Sequence, residues 1–82
     1  MDIHDTVEKL LHADLEVQTL QEVELIQLRA IGRQFALKYR HSKDKESAET
    51  KHILNTLISI RKMVKKRQNI IDINLQRFEQ GR

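Results

Sequence analysis

Apolar residues recur along this chain at spacings of three, four, seven and eight residues, and no segment alternates long enough to indicate a strand. Such spacing gathers apolar side chains on one face of an α-helix. The chain has no proline, and Gly32 is the only interruption before a charged stretch in the middle of the sequence. The pattern therefore predicts an all-α fold.

The first helix is predicted over about residues 5–40. Asp5, with Glu8 three residues later, resembles a capping box, and we expect the helix to pass through Gly32 with a bend or a close helix crossing there. An alternative stays open: Asp14 could cap a second helix and leave a short N-terminal helix that ends near His12. The apolar stripe is formed by Ile3, Val7, Leu10, Val17, Leu20, Leu28, Ile31 and Phe35.

The loop is predicted at about 41–46, where no large apolar residue occurs, and the second helix at about 47–79, with Gly81 as a stop signal. The second stripe follows the spacing of a coiled-coil seam, in which Arg67 takes one apolar position. Its other members are Ile53, Leu57, Ile60, Val64, Ile71, Asn74 or Leu75, and Phe78. Two helices of about 50 Å predict a long antiparallel helical hairpin, a single domain over residues 1–82, in which residue i lies beside residue 87 − i.

Composition limits the function. An 82-residue chain with 39% hydrophobic residues forms a thin core, so we expect marginal stability and a partner. The absence of cysteine excludes disulfides, zinc thiolate sites and thiol catalysis. No apolar run has the length of a signal peptide or a membrane span, which predicts a cytoplasmic protein.

Charge is unevenly distributed: residues 1–30 hold seven acids and two bases, whereas residues 31–82 hold five acids and thirteen bases. A basic cluster, defined as Arg61, Lys62, Lys65, Lys66 and Arg67, could follow a phosphate backbone. The expected register places Lys65 beside Glu22 and Lys62 next to Glu24, which would partly neutralise the cluster, and no aromatic platform accompanies it. A small, basic, dimeric nucleic-acid-binding or regulatory protein is therefore the alternative function.

Catalytic and metal sites are weakly indicated. The four histidines form no metal-binding spacing, and no serine lies in a glycine-rich elbow. Small helical chorismate mutases gather basic side chains, and Arg29, Arg33 and Lys38 could play such roles, but the opening pattern of that family is missing. We predict no enzyme activity, no metal and no cofactor.

The apolar stripes are wider than a two-helix seam requires. The flanking residues are Leu11, Leu15, Leu25, Ile26, Leu54, Ile58, Met63 and Ile70. Surplus apolar surface on a small chain indicates either a protein partner or self-association into a four-helix bundle.

Several segments carry a resemblance to a known family. They are LIQLRA at 25–30 followed by Gln34, QNIIDI at 68–73 with the pair Arg77-Phe78, and Leu10-Leu11-His12. In these segments the chain resembles the small E-component cochaperones of type III secretion systems, especially the enterobacterial branch. The resemblance implies a bacterial, cytoplasmic hairpin that pairs with a tetratricopeptide-like component and keeps the needle subunit soluble until export. It maps partner binding to the apolar surface of the hairpin, for which we expect Leu25, Leu28, Leu54, Leu57 and Ile58 to be central.

Overall fold

The structure, a computed structural model, describes the backbone of residues 2–80 and the side chains of residues 2–77. It contains α1 (Ile3–Leu11), a 3₁₀ helix (Val17–Glu22), α2 (Leu25–His41) and α3 (Ala48–Gln80). Helices α2 and α3 are long and pack against each other, so the predicted all-α helical hairpin is confirmed. The predicted stop at Gly81 lies outside the described residues, as does the side chain of Phe78 in the predicted seam.

Helix α1 has well-defined ends. The Asp2 carboxylate accepts hydrogen bonds from the backbone N–H groups of His4 and Asp5, at 3.0 and 3.3 Å, so Asp2 and not Asp5 is the N-cap. At the other end Asp14 N donates to Lys9 O and Ala13 N to Leu10 O, while Ala13 has a φ of 58°. These two bonds and the left-handed residue form a Schellman motif, which ends the helix and turns the chain.

The prediction of one continuous helix over 5–40 is therefore wrong, and the short N-terminal helix of the alternative is present. Asp14 caps no helix; it closes the Schellman motif, and α2 begins only at Leu25, after Glu24. Between the two helices the 3₁₀ helix buries Leu20, and Val23 follows it into the core. This burial gives a physical reason for the break, because one straight helix could not fold α1 and Leu20 back against α2 and α3.

The core lies where all four elements meet. Its buried apolar members are Val7, Leu10, Leu20, Val23, Leu28, Ile31, Phe35, Leu57 and Ile60. Helix α2 continues through Gly32, where a Cβ atom would lie 3.2 Å from the Ile60 side chain, so the predicted close crossing occurs there. Gly32 thus lies against Ile60 instead of Asn55, the neighbour that the symmetric register predicts.

The connection between α2 and α3 covers residues 42–47. Ser47 caps α3, since its Oγ accepts a hydrogen bond from Thr50 N at 3.1 Å. Thr50 is buried, and its hydroxyl bonds the hydroxyls of both Ser47 and Ser42. This hydroxyl cluster joins the C-terminal end of α2 to the first turn of α3.

Helix α3 is much longer than α2. At 1.5 Å per residue, its 33 residues extend for about 50 Å and the 17 residues of α2 for about 26 Å. The molecule measures 54 × 24 × 17 Å, and every residue of 69–77 is exposed. Among residues 2–80, no helix has the combined length and apolar character that a membrane crossing requires.

Candidate partner-binding surfaces

The first candidate surface is the distal segment of α3, defined as residues 69–77. Its large apolar side chains Ile70, Ile71, Ile73 and Leu75 are 51%, 41%, 47% and 56% exposed. At 3.6 residues per turn, they cover about 200° of the helix circumference. Such a broad apolar arc on an exposed helix is wide enough to contact one or two further helices.

The second candidate surface is an open groove between α2 and α3, with a volume of about 480 Å³. Its floor is formed by Gly32, Ala36, Leu57, Ile60 and Val64. Its rim holds Arg29 and Arg33 from α2 and Arg61 and Lys65 from α3, with Gln68 and Asn69 at one end. The lining contains no carboxylate, so this groove combines an apolar floor with a rim whose charged side chains are all cationic.

Helical periodicity explains the rim. Arg29 and Arg33 are four residues apart on α2, and Arg61 and Lys65 are four residues apart on α3, so each pair lies on one side of its helix. All four side chains are exposed. Arg29 donates a hydrogen bond to Gln68 Oε1, and none of the four forms an ion pair with any described residue.

The predicted partner-binding residues divide between core and surface. Leu28 and Leu57 are 0% and 3% exposed and belong to the core, so the expectation that they face a partner is corrected: both lie between α2 and α3. Leu25 and Leu54 are half-buried, and Ile58 is 42% exposed. Of the five, Ile58 offers the most apolar surface. In the distal segment the sequence indicated Ile70 as surplus surface, but it placed Ile71 and Asn74 or Leu75 in the hairpin seam, and that assignment is wrong because all of residues 69–77 are exposed.

The members of the basic cluster also differ in their exposure. Arg61, Lys62, Lys65 and Lys66 are exposed, whereas Arg67 is half-buried. The expected pairing of Lys65 with Glu22 and of Lys62 with Glu24 is absent from the ion pairs of the described residues. The register explains the difference, because Glu22 lies in the 3₁₀ helix instead of a continuous helix alongside α3.

Arg67 has a structural role that sequence reasoning missed. Its guanidinium donates to the carbonyl oxygens of Val23, Gln21 and Leu20, the last at 2.9 Å. These carbonyls lie at the C-terminal end of the 3₁₀ helix, where the negative end of the helix dipole attracts a cation, and Leu20 O also accepts a hydrogen bond from Val23 N at 3.1 Å. The signal for this contact was an arginine in an otherwise apolar seam, which requires polar partners when it packs inward.

His41, Ser42, Asp44 and Ser47 line one cavity beside the 42–47 connection, and the hydrogen bonds of the described residues include none between a histidine and a serine. His52 instead contacts α1, with its Nε2 2.9 Å from Leu10 O, and His12 lies 3.6 Å from Glu8. Arg29 and Arg33 share the groove, whereas Lys38 lies apart from it, beside Ile3 and Val7. No three His, Asp or Glu side chains of the described residues gather closely enough to hold a metal ion.

Comparison with known proteins gives no match to this chain among protein-family models, curated proteins or solved structures. The resemblance to the E-component cochaperones therefore rests on residues 10–12, 25–30, 34, 68–73 and 77–78 alone.

Proposed function

We propose that this chain is a non-enzymatic protein-binding subunit that packs a partner helix against the distal segment of α3. The observation that carries the proposal is the exposure of Ile70, Ile71, Ile73 and Leu75 on one helix. Clustered apolar side chains of this kind, here interspersed with Asn74 and Arg77, are typical of interaction sites, and they are disfavoured on a chain that remains without a partner.

Burial of the distal segment by a partner helix would give an association of moderate strength. Burial of a large aliphatic side chain contributes about 1.5 to 3 kcal/mol, and these four are already about half-buried by their own helix. Part of the gain offsets the lost translational and rotational freedom of the two proteins. A partner that covers only this segment therefore binds reversibly, and further contacts are needed for tight binding.

The partner class comes from the resemblance. QNIIDI at 68–73 carries part of the likeness to the E-component cochaperones and overlaps the distal segment. We therefore propose a cochaperone of the bacterial cytoplasm that helps to keep a type III secretion needle subunit soluble before export, together with a tetratricopeptide-like partner. Such a subunit is itself an amphipathic helix that tends to aggregate. The exposed apolar side chains of the distal segment would cover the apolar face of that helix.

The test is co-expression of the full chain with the needle subunit and the tetratricopeptide-like protein of its own organism. We expect a stable complex in size-exclusion chromatography, and we expect Leu75→Glu to lower its yield strongly. Gln76→Glu adds the same charge on the other side of the distal segment and serves as the matched control. An organism without these secretion genes, or a complex that tolerates Leu75→Glu, would refute the cochaperone proposal.

A second candidate function is nucleic-acid binding by a small basic dimer. It is favoured by one observation, namely that Arg61, Lys62, Lys65 and Lys66 are exposed and form no ion pair with the described residues. When these cations neutralise phosphates, the counterions of the nucleic acid are released, so the affinity for RNA or DNA should fall steeply as the salt concentration rises. Fluorescence anisotropy with labelled single strands and duplexes, repeated with Lys62→Glu/Lys66→Glu, tests this function.

A further inference from the structure

The α2/α3 groove presents two kinds of surface that a single ligand has to match. The floor is apolar, and its accessible part comes from Gly32, Ala36 and Val64, which are half-buried, whereas Leu57 and Ile60 belong to the core. The rim carries four cations and no carboxylate. A complementary ligand therefore needs an apolar face and negative charge on both flanks of that face.

The dimensions of the groove indicate a helix. From Leu57 to Asn69 it follows α3 for twelve residues, or about 18 Å, which equals about three turns of a docked helix. On each rim the two cations are four residues apart, or about 6 Å along the axis. Carboxylates four residues apart on the two flanks of an amphipathic helix have this same spacing.

A polynucleotide fits this groove less well. Its backbone would match the cations, but stacking its bases requires aromatic side chains. The groove lining has none, and Phe35 is fully buried in the core. The apolar floor would be left with no counterpart, so charge complementarity and apolar area together favour a protein helix.

From these observations we propose that the α2/α3 groove docks an acidic amphipathic helix of a partner protein. This site is separate from the distal segment, and the proposal does not depend on the proposed cochaperone function. Arg29, Arg33, Arg61 and Lys65 would bind carboxylates on both flanks, while Val64 and Ala36 contact the apolar face.

The experiment uses the full chain and a labelled peptide of about 16 residues with leucines at helical spacing and glutamates on both flanks. We expect saturable binding in fluorescence anisotropy and at least tenfold weaker affinity for Arg33→Glu/Arg61→Glu, which reverses one charge on each rim. Lys62→Glu/Lys66→Glu makes the same charge change outside the groove and should change affinity less than about twofold by comparison. Circular dichroism checks that both variants remain helical.

Two further probes complete the test. A peptide with the same glutamates but serines in place of the leucines should bind at least about tenfold more weakly, because it leaves the floor uncovered. Leu75→Glu should bind the original peptide as the unchanged chain does, which separates this site from the distal segment. Absence of saturable binding would overturn the proposal, as would equal loss in both double variants, equal binding of the serine peptide, or tighter binding of a single-stranded oligonucleotide in the groove.

Discussion

At the scale of single residues, Ala13 is the least favourable backbone position of the described chain. Its φ of 58° lies in the left-handed region, which costs an L-residue with a Cβ roughly 1 to 2 kcal/mol and costs glycine almost nothing. We expect Ala13→Gly to raise the free energy of unfolding by about 1 kcal/mol, since the strain is relieved at a position outside a helix interior. Urea denaturation measures the change, and a destabilised variant would contradict the Schellman geometry.

Arg67 is the second residue with a testable role. Arg67→Met keeps the stem but removes the donors to the carbonyls of Leu20, Gln21 and Val23. Hydrogen bonds from a charged donor contribute about 1.5 to 3 kcal/mol, so we expect a loss of about 2 kcal/mol in urea denaturation.

Arg61→Met is the matched control for Arg67, because Arg61 is exposed on the same helix and forms no ion pair with the described residues. We expect its effect to remain within about 0.5 kcal/mol. Equal losses in the two variants would mean that the Arg67 contacts contribute no more than an ordinary surface arginine.

At the scale of elements, the sequence predicted the hairpin and its loop but not the interruption of the first helix. The 42–47 connection was recognisable because it lacks large apolar residues. The end of α1 has neither glycine nor proline: an alanine takes the left-handed position, and its local sequence still has helical periodicity. Tertiary burial of Leu20 and Val23 decides this turn, and no short-range pattern reports such burial.

The candidate surfaces were predicted only in part, because hydrophobic periodicity does not determine how α2 packs on α3. Periodicity places Leu57 and Ile58 on adjacent stripes, but the register of α2 on α3 decides which stripe is covered. The groove likewise depends on Gly32 lying against Ile60, five residues from the neighbour that a symmetric hairpin predicts. Which cations of α2 lie opposite which cations of α3 can be predicted only when that register is known.

Packing between α2 and α3 can be tested by a pair of truncations. Ile60 is 1% exposed and lies against Gly32, so Ile60→Ala should leave a cavity and lower the free energy of unfolding by about 2 to 4 kcal/mol. Ile58 is 42% exposed, so Ile58→Ala should cost less than about 1 kcal/mol. Thermal and urea unfolding followed by circular dichroism compare them, and similar losses would place Ile58 in the core.

At the scale of the whole molecule, no ion pair of the described residues joins the acidic part of the chain, residues 1–30, to the basic part, residues 31–82. The ion pairs of the described residues are Asp5–Lys9 and Glu46–Lys51, and Glu8 contacts His12, all local in sequence. The basic surface of α3 is thus available to ligands, while apolar contacts and hydrogen bonds to backbone carbonyls hold α1 and the 3₁₀ helix in place. Apart from Arg67, the cations of the basic cluster form none of the described contacts that hold these elements.

This separation makes a prediction about salt. If Lys65 and Lys66 do not pair with the acidic N-terminal part, Lys65→Glu/Lys66→Glu should change the free energy of unfolding by less than about 0.5 kcal/mol at both low and high salt. Urea denaturation measures this in about 0.02 M and 0.5 M sodium chloride, where the Debye length is respectively longer and shorter than at physiological ionic strength. A decrease of about 1 kcal/mol in the free energy of unfolding at low salt that disappears at high salt would instead indicate that Glu22 pairs with Lys65. The groove would then lose part of its free positive charge, and an acidic helix would have to compete with the chain's own N-terminal part for Lys65.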